Sequence, residues 1–268
     1  MKDSISFKDF LYFYHWFKNF VQGFYKGKDE HDKWVIKLKY DHTLRVSKEI
    51  VDIGRELNLN TEQLFLAKTI GLFHDVGRFP QYEKYHTFRD AKSENHALLS
   101  VKTLIEKGIL DKLSKNIKNV ILKAIEYHNI RILPIGLDPE IDFYSRLIRD
   151  ADKLDVLNVF VELYDNPSKL ISTIELDLPD CNEVSEKIIE DILANQISNL
   201  TYMKCKHDMK LMLLSWTFDI NFAPSLKRIK ERRYIEKIIS HLPPSPKLEE
   251  VKKHLLSYVD LKLLKDTE

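Results

Sequence analysis

The amino-acid sequence predicts an all-α protein. Only 7 of its 268 residues are glycine, and few segments show the alternation of apolar and polar side chains that is typical of a half-buried strand. Apolar residues instead recur three and four positions apart along most of the chain, which is the period of a helix with one buried face. We therefore expect helices packed on one another.

The charge balance and hydropathy exclude several classes of partner. The 42 Lys and Arg residues nearly balance the 41 Asp and Glu residues, so no general field attracts nucleic acid or an anionic membrane. No apolar run reaches the roughly 20 residues that span a bilayer, and no signal-peptide pattern opens the chain. Cys181 and Cys205 follow no metal or redox spacing, which favours free thiols in a reducing compartment. We therefore expect a cytoplasmic protein.

The helical pattern of apolar residues divides the chain into three parts. Residues 1–30 contain an aromatic helix between Ser6 and Tyr25. A membrane-surface helix or a cofactor-binding segment would share this pattern, but modest length and mixed polarity favour a helix packed on the bundle. Residues 31–166 form the core that carries the chemistry, and residues 167–268 form a helical extension packed on the same domain.

Caps and apolar stripes mark the helices of the core. The first runs from near Asp32 to Leu57. Asn60 begins the next, with Gln63 as its capping partner, and Gly77 marks its end. Three more helices are expected: one capped by Ser93 that ends before Gly108, one capped by Ser114, and one from Tyr144 to Tyr164.

The C-terminal part continues the helical pattern. Helices are expected over residues 184–197 and 209–218, with Trp216 in the core. The basic run at residues 227–233 is interleaved with acids, so a solvated helix face is favoured over a nucleic-acid contact. A last amphipathic helix over residues 248–263 either packs on the bundle or mediates a homodimer.

Metal-binding residue types recur on the inward-facing stripes of these helices. A single histidine on such a stripe is usually a core residue with backbone partners. A carboxylate there is costly to bury unless it is paired or bound to a metal, and coordination by a common ion would satisfy all of these groups. The candidate ligands are His42, His74, Asp75, His96, His128 and Asp152.

The chemical types of the candidate ligands also indicate which metal ions would bind. Imidazoles combined with carboxylates suit Mn, Fe, Co, Ni or Zn, whereas Mg prefers oxygen ligands, and the absence of cysteine disfavours a structural zinc site. Asp75 can bridge two ions through its two oxygens. One ion would then take His42, His74, Asp75 and Asp152, and a second would take Asp75, His96 and His128.

The pattern His42, His74-Asp75, Asp152 resembles the HD superfamily of metal-dependent phosphohydrolases. The sequence Arg-Asp-Ala-Asp-Lys-Leu-Asp around Asp152 adds to the resemblance, which covers residues 40–164. His96 and His128 are similar to the extra ligands of the dinuclear branches. The resemblance implies one or two divalent transition-metal ions and a metal-activated water that attacks phosphorus, with Asp75 in the catalytic centre.

The sequence differs from two known branches of that superfamily, and these differences argue against their activities. The chain has no Gly-Tyr-Pro signature of the cyclic dinucleotide phosphodiesterases. Val-Gly-Arg-Phe follows His74-Asp75, where alarmone hydrolases have Glu-Asp shortly afterwards. We expect hydrolysis of a nucleotide-like or other small phosphorylated substrate. Two alternatives stay open: a mixed-valent di-iron oxygenase of the same superfamily, and a catalytically silent nucleotide-binding module.

The connection from Arg78 to Asn95 is either a substrate-binding wall or a solvated loop. In the first case His86 is a candidate proton donor to the leaving oxygen, because an imidazole titrates near neutrality. Asp150 and Asp155 could orient ligand histidines through their second ring nitrogen. The candidate cations for binding substrate phosphate are Arg45, Arg78, Lys84, Arg89 and Lys153.

Overall fold

The computed structural model describes residues 2–166 and 178–265, and within them the prediction of an all-α protein is confirmed. No β-strand is found in these two ranges, where Lys2 and Leu113 form an isolated bridge. The helices are α1 (Phe7–Gln22), α2 (Glu30–Glu56), α3 (Thr61–Phe73), α4 (Arg78–Tyr85), α5 (His96–Glu106), α6 (Lys115–Tyr127), α7 (Pro139–Asp165), α8 (Glu186–Leu193), α9 (Lys206–Ser215), α10 (Ala223–Glu231), α11 (Tyr234–Ser240) and α12 (Pro246–Lys265).

The chain divides into two compact units, Met1–Asp155 and Val156–Glu268. The division falls within α7, whereas the sequence analysis ended the core at residue 166. Every candidate metal ligand belongs to the first unit.

Helix α1 packs its aromatic face against the first unit. Ser6 is its N-cap and forms a capping box with Asp9, so the helix begins where two backbone donors are satisfied. The ring of Phe13 lies 5.6 Å from that of Phe73, and Phe17 lies 5.8 Å from Phe79. The aromatic spacing therefore reflects packing within the unit.

Helices α2 and α3 approach each other closely at a glycine. A Cβ atom on Gly71 would lie 2.9 Å from the Cα of Ser47, which is closer than carbon atoms pack. The N-cap of α3 is Asn60, which forms the expected capping box with Gln63. This contact brings the middle of α2, where His42 lies, beside the end of α3, where His74 lies.

Several helix ends differ from the sequence prediction. Gly77 begins α4 as its N-cap, in right-handed helical conformation, and does not end α3. The N-cap of α5 is Asn95, whose side chain accepts from two backbone N–H groups, so the assignment to Ser93 was wrong. Ser93 instead hydrogen bonds with Gln81. Serine and asparagine both suit an N-cap locally. Contacts with other parts of the fold therefore decided which of the two residues caps α5.

The second unit keeps most of the predicted helices with shorter bounds. Helix α8 excludes Val184 and Ile197, which the sequence analysis had included. Trp216 begins a 3-10 turn after α9 and is half-buried, so its placement in the core was wrong. Arg228 of the basic run is buried and donates to the carbonyl of Pro224. Helix α12 buries Leu248, Val251, Leu255 and Val259 as expected.

Cys181 and Cys205 form a disulfide, with their Cα atoms 5.9 Å apart. The expectation of free thiols was therefore wrong. Chain spacing alone carries no pairing signal here, and the packing of α8 against α9 brings the two cysteines together. Because disulfides persist mainly in oxidising compartments, this bond removes the argument from thiols for a cytoplasmic protein, and that location stays a prediction.

None of the helices within residues 2–166 and 178–265 combines the length and apolar character needed to cross a bilayer.

Candidate metal centre

Six side chains of ligand type converge inside the first unit. Four of them lie at or next to helix ends, whereas the sequence analysis had placed each on a stripe within a helix. His42 lies within α2, His74 is the C-cap of α3 and precedes Asp75, His96 is the first residue of α5, His128 is the C-cap of α6, and Asp152 lies within α7.

The carboxylate of Asp75 lies at the centre of the cluster. Its Oδ2 atom is 3.6 Å from Nε2 of His42 and 3.9 Å from Nε2 of His74. Its Oδ1 atom is 3.6 Å from Nε2 of His96 and 3.9 Å from Nε2 of His128. The two oxygens therefore face two different pairs of histidines, which is the arrangement that a bridging ligand requires.

Asp152 completes the first group of ligands. Its Oδ1 atom lies 3.2 Å from Nε2 of His42 and 3.7 Å from Nε2 of His74, and its side chain is 23% exposed. Atoms that bind a common ion at about 2.0–2.2 Å stand roughly 3–3.5 Å apart. These separations fit a cation held between His42, His74 and Asp152, whose ligand atoms all lie within 4.8 Å of one another.

The second group consists of His96, His128 and the other oxygen of Asp75. The Nε2 atoms of His96 and His128 are 3.1 Å apart. Ligand atoms of His74, Asp75 and His128 also lie within 4.8 Å of one another. His74 therefore stands between the two groups.

Each of the four histidines has a hydrogen-bond acceptor at its Nδ1 atom. His42 Nδ1 lies 2.7 Å from Asp155 Oδ2, and His96 Nδ1 lies 2.6 Å from Asp90 Oδ2. The Nδ1 atoms of His74 and His128 face carbonyl oxygens three residues earlier in their own helices, at 2.9 Å and 2.7 Å. A proton on Nδ1 leaves the Nε2 lone pair directed at the cluster, as in ligand histidines.

Two of these Nε2 atoms are buried without a hydrogen-bond partner, those of His42 and His74. Buried polar atoms are otherwise almost always paired, and an unpaired one costs stability. A metal ion would satisfy both atoms. The donor set of imidazole nitrogens and carboxylate oxygens fits a first-row transition ion.

The ligand carboxylates are held in their ionised form. Burial by itself raises the pKa of Asp75, but the Lys39 ammonium and the His74 imidazole outweigh it and hold that pKa well below its usual range. Burial likewise raises the pKa of Asp152, and the imidazoles of His42 and His74 outweigh it. Ionised carboxylates with so little access to water require positive charge nearby.

The second group of histidines is held neutral. Burial, followed by the nearby His96 and His74 imidazoles, lowers the pKa of His128 to about 3. Burial and the Arg78 guanidinium lower the pKa of His96. Neutral imidazole is the form that binds a metal.

His42 differs from its neighbours. Burial and Lys39 lower its pKa, but the carboxylates of Asp152 and Asp155 outweigh them, so that the pKa is raised overall. The two carboxylates thus favour a positive charge on the imidazole between them. A bound cation would supply that charge in its place.

Two of the predicted phosphate-binding cations hydrogen bond with acids that contact ligand histidines. Arg45 donates to both oxygens of Asp155, at 2.6 Å and 3.0 Å. Arg78 Nη1 donates to the carbonyl of Phe88 at 2.7 Å and to Asp90 at 3.1 Å. These arginines therefore support the acids that orient His42 and His96.

Four further residues were predicted to bind substrate or to donate a proton. Lys84 is exposed and pairs with Glu94 at 2.8 Å, while Arg89 and Lys153 are half-buried. His86 is exposed at the end of α4, and its ring packs edge-on against Tyr82. Their roles in binding and proton donation stay predictions.

The connection between Arg78 and Asn95 packs within the first unit and is not a solvated loop. Helix α4 occupies its first half, and the fully buried Gln81 side chain binds three groups of its second half. The Nε2 atom of Gln81 donates to Asp90, to Ser93 and to the carbonyl of Glu94, at 2.8–2.9 Å. This network fixes Asp90, which in turn contacts His96.

The sequence analysis identified one positioning acid and missed another. Asp155 contacts His42 as expected, and Asp150 is buried. Asp90 and Lys39 were not identified, although Lys39 Nζ lies 3.0 Å from Asp75 Oδ2. The spacing of three between Lys39 and His42 on one helix was the available signal, whereas Asp90 carried none.

A comparison with protein-family models matches residues 40–157 to the HD domain. Comparisons with curated proteins and with solved structures find no match. The matched range includes all six converging side chains, and its fold is helical, as the structure shows. Residues 40–157 thus match the model of the HD domain, a match that supports the resemblance to the HD superfamily of metal-dependent phosphohydrolases.

Proposed function

We propose that this protein is a metal-dependent phosphohydrolase that acts on a nucleotide-like or other small phosphorylated substrate. The observation that carries the proposal is the orientation of Asp75, whose two oxygens each face a separate pair of histidine Nε2 atoms. Two divalent cations bound in this way would supply Lewis acidity and an activated water for attack on phosphorus.

The chain's own residues divide the remaining tasks. Asp75 and Asp152 would hold the cations together with the four histidines. Asp155 and Asp90 keep two of the imidazole rings in place through their Nδ1 atoms. No protein nucleophile is required, so we assign none.

The proposed metals are Mn, Fe, Co, Ni or Zn, in one or two equivalents. The Nε2 atoms of His96 and His128 lie 3.1 Å apart, and burial lowers the pKa of both imidazoles, which keeps them in the neutral form that binds a metal. Elemental analysis of protein purified without added metal gives the identity and stoichiometry.

Replacing Asp75 with alanine tests the proposal. We expect Asp75→Ala to lose tight binding of both ions and to lower hydrolysis of phosphate esters by at least about a hundredfold, because a bridging ligand serves both positions. Metal content by elemental analysis and turnover of a panel of phosphomonoesters, phosphodiesters and nucleotides provide the measurement.

Asp52→Ala is the matched control, since Asp52 lies on α2 and pairs with Lys48 and Arg55 at the surface. Retained turnover in Asp75→Ala would contradict the proposal. Dioxygen consumption by iron-loaded protein would indicate the di-iron oxygenase instead, and nucleotide binding without turnover under any metal would indicate the silent module.

A further inference from the structure

We propose that Lys39 is the cation that binds the phosphoryl oxygens of the substrate, an assignment that rests on the proposed function. Its ammonium group pairs with the carboxylate of Asp75. With cations bound to Asp75, the ammonium contacts the anionic substrate instead.

Lys39 contacts the central ligand of the cluster directly. Its Nζ atom lies 3.0 Å from Oδ2 of Asp75, and its side chain is 18% exposed. The ring of Phe88 covers the ammonium, with Nζ 5.3 Å from the ring centroid. The charge therefore lies at the cluster and is partly shielded from water, which strengthens its interaction with an anion.

The oxygen that Lys39 contacts is also the one that faces the first pair of histidines. Asp75 Oδ2 lies 3.6 Å from Nε2 of His42 and 3.9 Å from Nε2 of His74. A divalent cation held by these three residues would draw on the same oxygen and would repel the ammonium. Lys39 would then carry an unbalanced positive charge beside the position where substrate must bind.

Two arginines beside the cluster, Arg45 and Arg78, are less suited to this task. Arg45 is held by both oxygens of Asp155, and Arg78 is held by the Phe88 carbonyl and by Asp90. Releasing either guanidinium would disturb an acid that orients a ligand histidine. Lys39 does not hold an acid that orients a histidine. Its partner is Asp75, the carboxylate that the metal cations would bind.

A lysine in this position fits a phosphoryl group. Phosphate oxygens accept strong charge-assisted hydrogen bonds, and a compact ammonium on a flexible stem can move from one oxygen acceptor to another. The inferred ligand class is a phosphate mono- or diester whose oxygens approach Asp75 from the side of Phe88.

Two variants and a control test the assignment. Lys39→Met removes the charge and keeps an unbranched side chain, and Lys39→Arg keeps the charge. Lys37→Met is the matched control, because Lys37 lies on the same helix, is 64% exposed and pairs with Asp41. Equilibrium dialysis measures binding of Mn²⁺ alone and then binding of inorganic phosphate to the manganese-loaded protein.

We expect Lys39→Met to bind manganese at least about fivefold more tightly than the wild type, because one nearby unit charge no longer opposes the ion. We expect its affinity for phosphate to fall by at least about tenfold, the usual effect of losing one charged hydrogen bond. Lys39→Arg should retain most of the phosphate affinity, and Lys37→Met should match the wild type in both measurements.

Unchanged phosphate affinity in Lys39→Met would overturn the assignment. Loss of bound manganese in that variant would also overturn it, by showing that Lys39 supports Asp75 as a metal ligand. A wild type that binds manganese and phosphate but hydrolyses no phosphate ester would refute the proposed function, while the Lys39 assignment would still be decided by the phosphate measurement.

Discussion

Asp155 determines how the imidazole ring of His42 is oriented. Its Oδ2 atom accepts from His42 Nδ1 at 2.7 Å, and Arg45 donates to both of its oxygens. Burial raises the pKa of Asp155, but His42 and Arg45 outweigh it and lower that pKa. The acid is thus ionised, and an ionised partner makes the imidazole a stronger metal ligand.

Asp155→Asn tests this role. The amide keeps a hydrogen-bond acceptor but loses the charge, so we expect metal affinity to fall by about 10- to 100-fold, the usual effect of losing such a partner. Competition with a chelator of known affinity provides the measurement.

Asp52→Asn makes the same chemical change on the surface of the same unit and should leave metal affinity unaltered. Equal affinities of Asp155→Asn and the wild type would show that the position of His42 is fixed by packing alone.

At the scale of elements, close helix contacts set the distances between ligands. The N–H of Gly77 donates to Ser100 Oγ at 2.8 Å, and a Cβ atom on Gly77 would lie 2.6 Å from the carbonyl oxygen of His96. The start of α4 thereby rests on the first turn of α5. Since Gly77 follows His74-Asp75 closely, this contact sets the separation between Asp75 and His96.

Gly77→Ala should therefore disturb the second group of ligands. The backbone of Gly77 is already helical, with φ −70°, so alanine can adopt it without strain. The cost of the substitution comes from the steric clash of the added Cβ atom. We expect a loss of about 1–3 kcal/mol in the free energy of unfolding, as for overpacked sites, and a lower metal stoichiometry. Denaturant unfolding and elemental analysis provide the measurements.

Gly23→Ala is the matched control. Gly23 is also helical, with φ −58°, and an added Cβ atom would meet nothing within 4 Å. We expect this variant to be unchanged or more stable by about 0.4–1 kcal/mol. Equal stability of the two variants would show that α4 and α5 can separate without cost.

At the scale of the whole molecule, the candidate metal ligands and the disulfide belong to different units. The six ligand-type residues lie in Met1–Asp155, and the disulfide between Cys181 and Cys205 lies in Val156–Glu268. The disulfide closes a loop across a sequence separation of 24 residues that contains α8. Its contribution to stability should therefore be confined to the second unit.

Replacing both cysteines by serine should lower the free energy of unfolding of the second unit by about 3 kcal/mol, from the entropy that the loop regains when unfolded. Denaturant unfolding of the wild type and the double variant measures this difference. Metal affinity should stay at the wild-type value, which serves as the internal control. Coincident unfolding curves would show that the second unit does not depend on the cross-link.

The sequence by itself determined the helical class and named six ligand-type residues as candidates. Helical periodicity and the cost of burying a carboxylate are local properties, so they can be inferred without knowing which segments meet. Asn60 and Gln63 could be identified as a capping box for the same reason, because both partners belong to one turn.

Only the tertiary structure decided which distant groups meet. Lys39 contacts Asp75, Asp90 contacts His96, and Cys181 pairs with Cys205. The two members of each pair belong to different segments of the chain, and Asp90 is positioned by Gln81 of α4. Such contacts depend on how closely helices pack at positions like Gly71 and Gly77, where a missing side chain carries no local signal of the partner it admits.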